Sequence, residues 1–318
     1  MLCNFSVIRS LYSGGCQLKI CGSCEELGNW DPQKAVSLTC ANLNIDGYYP
    51  QNEPTFWSVT VKFREQLGEV EYKFLAVFPG DHLEWEGCGA EHNRKLDLTD
   101  LADSAAPTTH DVKLIAPSHW RESWGLSNEF QHTTQFYFHV AGRHEIHLSK
   151  ILENLWIGSC PRQFKHLVLL KGLKITAIFN LQLQSDVEQN CFDVLPYRRT
   201  ANLSLIDDII ALFSSNNFVY VWLPTADMST QGRIRMIPQA VFILYGLIKS
   251  GHTVYVHCNA GVGRSSAVVC GYLLYILAMP FAEMQHFVVS KRPAVFIDEV
   301  ALRQAESDFK NKYQKAIE

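Results

Sequence analysis

The chain is 318 residues long, which favours two cores of ordinary size over a single one. A formal charge of −4 excludes a global basic field for nucleic acid or an anionic membrane, so any phosphate has to be recognised locally. The ten cysteines follow no disulfide-framework spacing, which points to a reducing compartment where a thiol persists as a possible nucleophile.

The N-terminal stretch MLCNFSVIRSLYSGG lacks the basic start and unbroken apolar core of a signal peptide. The best apolar run, residues 267–278, is too short to span a bilayer. The reading is a soluble, intracellular protein without a transmembrane segment. Up to about Trp120 the pattern is short β-rich pieces between turn residues, at 16–21, 35–38, 56–63 and 70–77, which predicts an antiparallel β-sandwich. Trp57 lies inside the third piece and is assigned to the core. From Leu148 onward apolar strand candidates at 175–181, 219–223 and 253–257 alternate with helices at 235–249 and 265–278. That alternation predicts an α/β domain with a central, mostly parallel sheet. The expected division is therefore residues 1–120, a connector at 121–147 packed on one domain, and residues 148–318. No internal repeat or low-complexity tract interrupts it.

Residues 254–266, VYVHCNAGVGRSS, read as a strand, a glycine-bearing loop and the start of a helix. Backbone N–H groups of Asn259, Ala260, Gly261, Val262, Gly263 and Arg264 would converge on a tetrahedral anion, with the glycines allowing close approach. The same positive field lowers the pKa of Cys258 and favours the thiolate, while the Arg264 guanidinium grips two phosphate oxygens. Attack would give a phosphocysteine, and the Ser265 hydroxyl is placed to make the sulfur a better leaving group. His257 is assigned a structural role, its ring bonded to loop backbone. Neutral Asn259 and Val262 suit a singly phosphorylated, otherwise neutral substrate better than a highly charged one.

This loop resembles the signature of the protein tyrosine and dual-specificity phosphatases, from about Leu148 to the C-terminus. The resemblance implies a general acid on a loop facing the thiolate. Asp227 follows a strand candidate and is preferred to Asp207 and Asp208, which look like charges at a helix start. Asp186, also beyond a strand, either orients a sugar hydroxyl or is a solvated loop aspartate.

In the N-terminal part Trp30 and Trp85 fall in turn-like settings, where an indole face can stack on sugar or can be a half-buried structural residue. Their phrases resemble a family 20 starch-binding module. That resemblance implies Trp30 and Trp85 as platforms, Lys73 as a hydroxyl ligand, and Gly89, Ala90, Glu91, His92 and Asn93 as part of the glucan site, with Asn93 closing it. The two parts together resemble the glucan phosphatases that join such a module to a dual-specificity phosphatase domain. By that resemblance the chain binds glycogen or another phosphorylated α-glucan and hydrolyses its phosphate monoesters, with activity on phosphoproteins in vitro. It also implies glycogen-targeting proteins and a ubiquitin ligase as partners, admits a homodimer, and suggests a cytoplasmic, glycogen-associated location, peripheral at the endoplasmic reticulum or nuclear. Two departures stand out: Asn93 where an aspartate is expected, and Phe296 where a tyrosine is expected.

Other signals carry less. Cys21 and Cys24 have redox-motif spacing but lead into a turn, and His144 to His147 does not make a metalloprotease helix, so no metal or cofactor is implied.

Overall fold

A computed structural model describes residues 1–10, 16–42, 53–64, 68–99, 112–122, 129–142, 145–191, 193 and 204–317. These divide into two compact units, Met1–His132 with Gln285–Ala294, and Thr133–Met284 with Val295–Glu318.

The first unit is a pair of sheets. One contains β1 (Leu2–Ser10), the others of its set being β4 (Thr39–Cys40), β5 (Pro54–Lys62), β9 (Val112–Leu114) and β10 (Ser118–His119). The other contains β2 (Gln17–Gly22), β3 (Val36–Ser37), β6 (Glu69–Phe78), β7 (His82–Trp85) and β8 (Arg94–Asp97). β1 and β5 pair antiparallel from Leu2↔Lys62 to Ser10↔Pro54. Alternation buries Cys3, Phe5 and Val7 of β1 in one core with Leu18, Ile20, Trp57, Phe74 and Trp120. Phe5 meets Tyr72 edge to face at 5.0 Å between ring centroids. The sandwich is not wholly antiparallel, because β9 and β10 return alongside β1 in parallel. β1 itself was not among the expected strands, although Cys3, Phe5 and Val7 alternate with Asn4 and Ser6.

The second unit is built on β11 (Leu148–Leu152), β12 (Leu155–Gly158), β13 (Ala177–Asn180), β14 (Val219–Trp222) and β15 (Val254–His257), in the order β11-β12-β15-β13-β14. All are parallel except β11, which forms a hairpin with β12. The α-helices described along the chain are α1 (Glu129–Gly142), α2 (Phe164–Gly172), α3 (Gln184–Asn190), α4 (Leu205–Ser215), α5 (Thr230–Lys249), α6 (Arg264–Tyr275), α7 (Phe281–Lys291) and α8 (Glu299–Ile317), of which residues 129–132 of α1 and 285–291 of α7 belong to the first unit. α5 starts before the expected residue 235 because the Ser229 hydroxyl accepts from Gly232 N at 2.9 Å and caps it there. Part of the expected connector is α1, with Phe136 and Val140 buried. Residues 123–128, 143 and His144 lie outside the described residues. No helix among those described is long and apolar enough to cross a membrane.

β13, β14 and β15 end side by side at Asn180, Trp222 and His257. The residues that follow each one therefore open on the same carboxyl edge of the sheet, where open α/β folds bind ligands.

Candidate active site

The cradle follows β15 directly. Gly261 has φ 72°, a left-handed conformation that favours glycine, whereas Gly263 at φ −105° does not. A Cβ at Gly263 would meet Arg233 Nη1 at an ordinary 3.6 Å, so the conformational need expected of both glycines falls on Gly261. Ser266 Oγ donates to Gly263 O at 2.7 Å and Phe296 N donates to Val262 O at 2.9 Å, bracing the loop from behind. Phe296 also carries the Arg233 guanidinium over its ring at 5.2 Å, and Arg233 Nε donates to Asp298 at 2.7 Å.

Cys258 is 4% exposed and its Sγ lies 3.4 Å from Ser265 Oγ. Burial alone would raise the thiol pKa, but the Arg264 charge and the Ser265 hydrogen bonds outweigh it and hold it below the ordinary value. Arg264 is fully buried and stays charged: Nη1 donates to Asp186 Oδ2 at 2.7 Å and to Thr225 O at 2.9 Å, and Nη2 donates to Asp227 Oδ2 at 2.9 Å. Its Nε has no partner among the described residues. A buried N–H beside a thiolate calls for an acceptor, and an oxyanion supplies one. Burial pushes the His257 pKa down to about 3, so the ring is neutral, and its Nδ1 donates to the Cys258 carbonyl at 3.3 Å.

Asp186 and Asp227 come from different strand ends and meet at Arg264. Asp186, in the first turn of α3, also accepts from Leu183 N at 3.0 Å. Its burial would raise its pKa, but Arg264, Asn259 and the Leu183 N–H outweigh that and lower it. Asp207 and Asp208 sit in the first turn of α4. Sequence reasoning missed Gln182, whose Nε2 donates to Asn259 Oδ1 at 2.8 Å. A fully buried glutamine beyond a strand has no signature in one sequence.

In the first unit Trp30 and Trp85 lie 6.3 Å apart between ring centroids at 52°. Trp30 and Asn29 both have positive φ, 61° and 51°, held by Trp30 N donating to Gly22 O at 2.8 Å. A bulky residue held there points to a function for its partly exposed ring. Trp85 differs from the turn setting expected of it: it ends β7 and packs on Cys21, Ala35 and Leu75. Lys73 Nζ donates to Gly89 O at 2.6 Å and so ties the 87–93 turn to β6. Ala90 and Glu91 are exposed on that turn, and His92 Nδ1 accepts from Cys88 N at 2.7 Å. Asn93 Nδ2 donates to Glu71 Oε2 at 2.9 Å, and an aspartate there would face a like charge. Beneath them, Glu86 is fully buried and accepts from Arg94 Nε and Nη2, both at 2.7 Å, and from Phe74 N at 2.9 Å. Burial raises the pKa of Cys21 and Cys24. Among the described residues no three His, Cys, Asp or Glu side chains gather as metal ligands.

Comparison with known proteins matches residues 155–305 to the dual specificity phosphatase catalytic domain and residues 2–106 to the starch binding domain. The molecule is thus a phosphatase joined to a starch-binding module. It belongs to the laforin family: it is 41% identical over 332 residues to laforin of Mus musculus, covering 99% of this chain and 98% of that protein. The amyloplastic phosphoglucan phosphatase DSP4 of Castanea sativa is 29% identical over 55% of this chain and 44% of its own length. Among solved structures, the human tyrosine phosphatase-like serine/threonine/tyrosine-interacting protein aligns at TM-score 0.39 and 22% identity, over 54% of this chain and 99% of that one.

Proposed function

We propose that this protein binds glycogen or a related α-glucan through its starch-binding module and hydrolyses phosphate monoesters on it through a phosphocysteine. The observation that carries the chemistry is the buried Arg264, with an unpartnered Nε, beside a thiol whose pKa is held down. Phosphate oxygens take the Arg264 donors and the loop N–H groups. Cys258 Sγ attacks phosphorus as the P–O bond to the sugar breaks, and Asp227 gives its proton to that departing oxygen. The Asp227 carboxylate then takes a proton from water, whose oxygen attacks phosphorus. The sulfur leaves as a thiolate stabilised by the Ser265 hydroxyl and the Arg264 charge. Trp30 and Trp85 are the stacking faces, with Lys73, Glu91 and Asn93 facing sugar hydroxyls and the backbone at Gly89, Ala90 and His92 shaping the turn.

Phosphate release from phosphorylated amylopectin compared with a phosphotyrosine peptide tests the substrate. Faster release from the glucan is expected, and negligible glucan activity beside strong peptide activity would overturn the assignment. The same reading carries a cytoplasmic, glycogen-associated location, partnership with glycogen-targeting proteins and a ubiquitin ligase, and a homodimer. Light scattering at several concentrations tests the last, and a monomer at all of them would remove it.

A further inference from the structure

Gln182 lies just beyond β13, fully buried, with its backbone fixed at both ends: its N donates to Asn180 Oδ1 at 2.8 Å and its O accepts from Trp222 Nε1 at 2.8 Å. Its side-chain Nε2 donates to Asn259 Oδ1 at 2.8 Å, and its Oε1 accepts from the Cys191 thiol at 3.6 Å. Asn259 Nδ2 in turn donates to Asp186 Oδ1 at 3.1 Å and Asp227 Oδ2 at 3.4 Å. The direction of this chain is dictated by chemistry. Asp186, paired with Arg264 and with its pKa lowered, is an ionised carboxylate that only accepts, so Asn259 must present its NH2 to it and its carbonyl to Gln182. Gln182 must then present its own NH2 to Asn259, leaving its carbonyl for a thiol that donates. Every link has one sense.

We infer that Gln182 is a positioning residue: by holding Asn259 in one amide orientation, it keeps the carboxyl groups of Asp186 and Asp227 gathered over the cradle. Were Asn259 to turn, its Oδ1 would stand against the Asp186 carboxylate and push it from its place, and Asp227 would lose the Nδ2 donor that holds it. The general acid would then be misplaced, while the thiolate and Arg264 stay where they are. This inference rests on the reading of Asp227 as general acid, so the experiment separates the two.

The test uses the full chain with phosphorylated amylopectin, whose leaving group needs a proton, and p-nitrophenyl phosphate, whose leaving group does not. Gln182→Met keeps the volume and removes the amide. It should lower kcat on the glucan by about ten- to a hundredfold, up to the scale of a catalytic group displaced by about 1 Å, with KM held, and leave the aryl phosphate within about twofold. Combined with Asp227→Ala it should add no more than about twofold to that variant's loss, because both act through one acid. Gln182→Glu provides a second readout. A protonated carboxyl at 182 donates to Asn259 Oδ1 as the amide does, whereas an ionised one draws the Asn259 NH2 to itself. The titratable and charged groups around it are Cys191, with Cys160 and Arg162 beyond that thiol, and, past Asn259, Asp186, Asp227 and Arg264. The glucan-to-aryl activity ratio of Gln182→Glu, relative to the parent protein, should therefore rise as pH falls. Equal losses on both substrates, or a loss additive with Asp227→Ala, would overturn the inference, as would no loss at all. If Gln182→Met also impairs aryl hydrolysis through instability, the Gln182→Glu ratio decides, and a ratio flat in pH overturns it. If Asp227→Ala itself loses equally on both substrates, the general-acid reading fails instead.

Discussion

Cys258 sits where burial would keep a thiol protonated, and it is the charge of one arginine, with Ser265, that reverses the sign. Replacing it by serine should abolish turnover and leave glucan binding intact, because a hydroxyl at neutral pH is far less nucleophilic than a thiolate. Phosphate release and glycogen co-sedimentation on the same preparation check both halves. Asp227→Ala should cost roughly 10²–10⁴ in rate on a sugar ester and much less on an activated aryl ester. Asp186 has a further, thermodynamic signature. Its pKa is lower in the folded protein than in the open chain, so the native state binds its proton less readily. The stabilisation from its pairing with Arg264 is then complete above the ordinary aspartate value of about 3.9 and is lost as pH falls toward the folded value. Asp186→Asn should flatten the acid limb of melting temperature against pH, and a limb as steep as in the parent protein would contradict the pairing.

At the scale of the elements, the glucan wall stands on a buried ion pair. Glu86 links β7 to β8 by its two bonds to Arg94, and it also accepts from Phe74 N in β6. Glu86→Ala strands a buried guanidinium and should cost about 3–5 kcal/mol, seen as a lowered melting temperature of the first unit. Trp30→Ala should behave differently: glycogen binding falls, while melting is nearly unchanged, because the ring is partly exposed on a left-handed turn and belongs to no core cluster. Trp85→Ala should lose binding and stability together, since that ring also covers Cys21, Ala35 and Leu75. Calorimetry alongside glycogen co-sedimentation separates the three. Normal glycogen binding by a well-folded Trp30→Ala would take that tryptophan out of the glucan site.

For the molecule as a whole, joining a glucan-binding unit to a phosphatase raises the effective concentration of phosphate esters on a bound polymer. An unphosphorylated malto-oligosaccharide that fills the starch-binding module should therefore raise the apparent KM for phosphorylated amylopectin and leave p-nitrophenyl phosphate hydrolysis unchanged. Parallel inhibition of both substrates would place the oligosaccharide at the cradle instead, and the tethering account would fall.

The local sequence by itself specified the cradle, because strand, loop and helix are contiguous at 254–266 and backbone N–H convergence is a short-range property. It specified the parallel α/β pattern for the same reason, each apolar strand being written in a few adjacent residues. It also placed Trp30 in a turn, through the glycine and asparagine before it. Only the tertiary structure brought Asp186, Asp227 and Arg264 to one point, since they follow three different strands whose order in the sheet is not their order in the chain. Likewise it alone revealed Gln182, Glu86 and the partner that makes Asn93 preferable to an aspartate. Those residues act through partners remote in sequence, across sheets or between strand ends, and a polar side chain carries no local mark of which buried group it will satisfy.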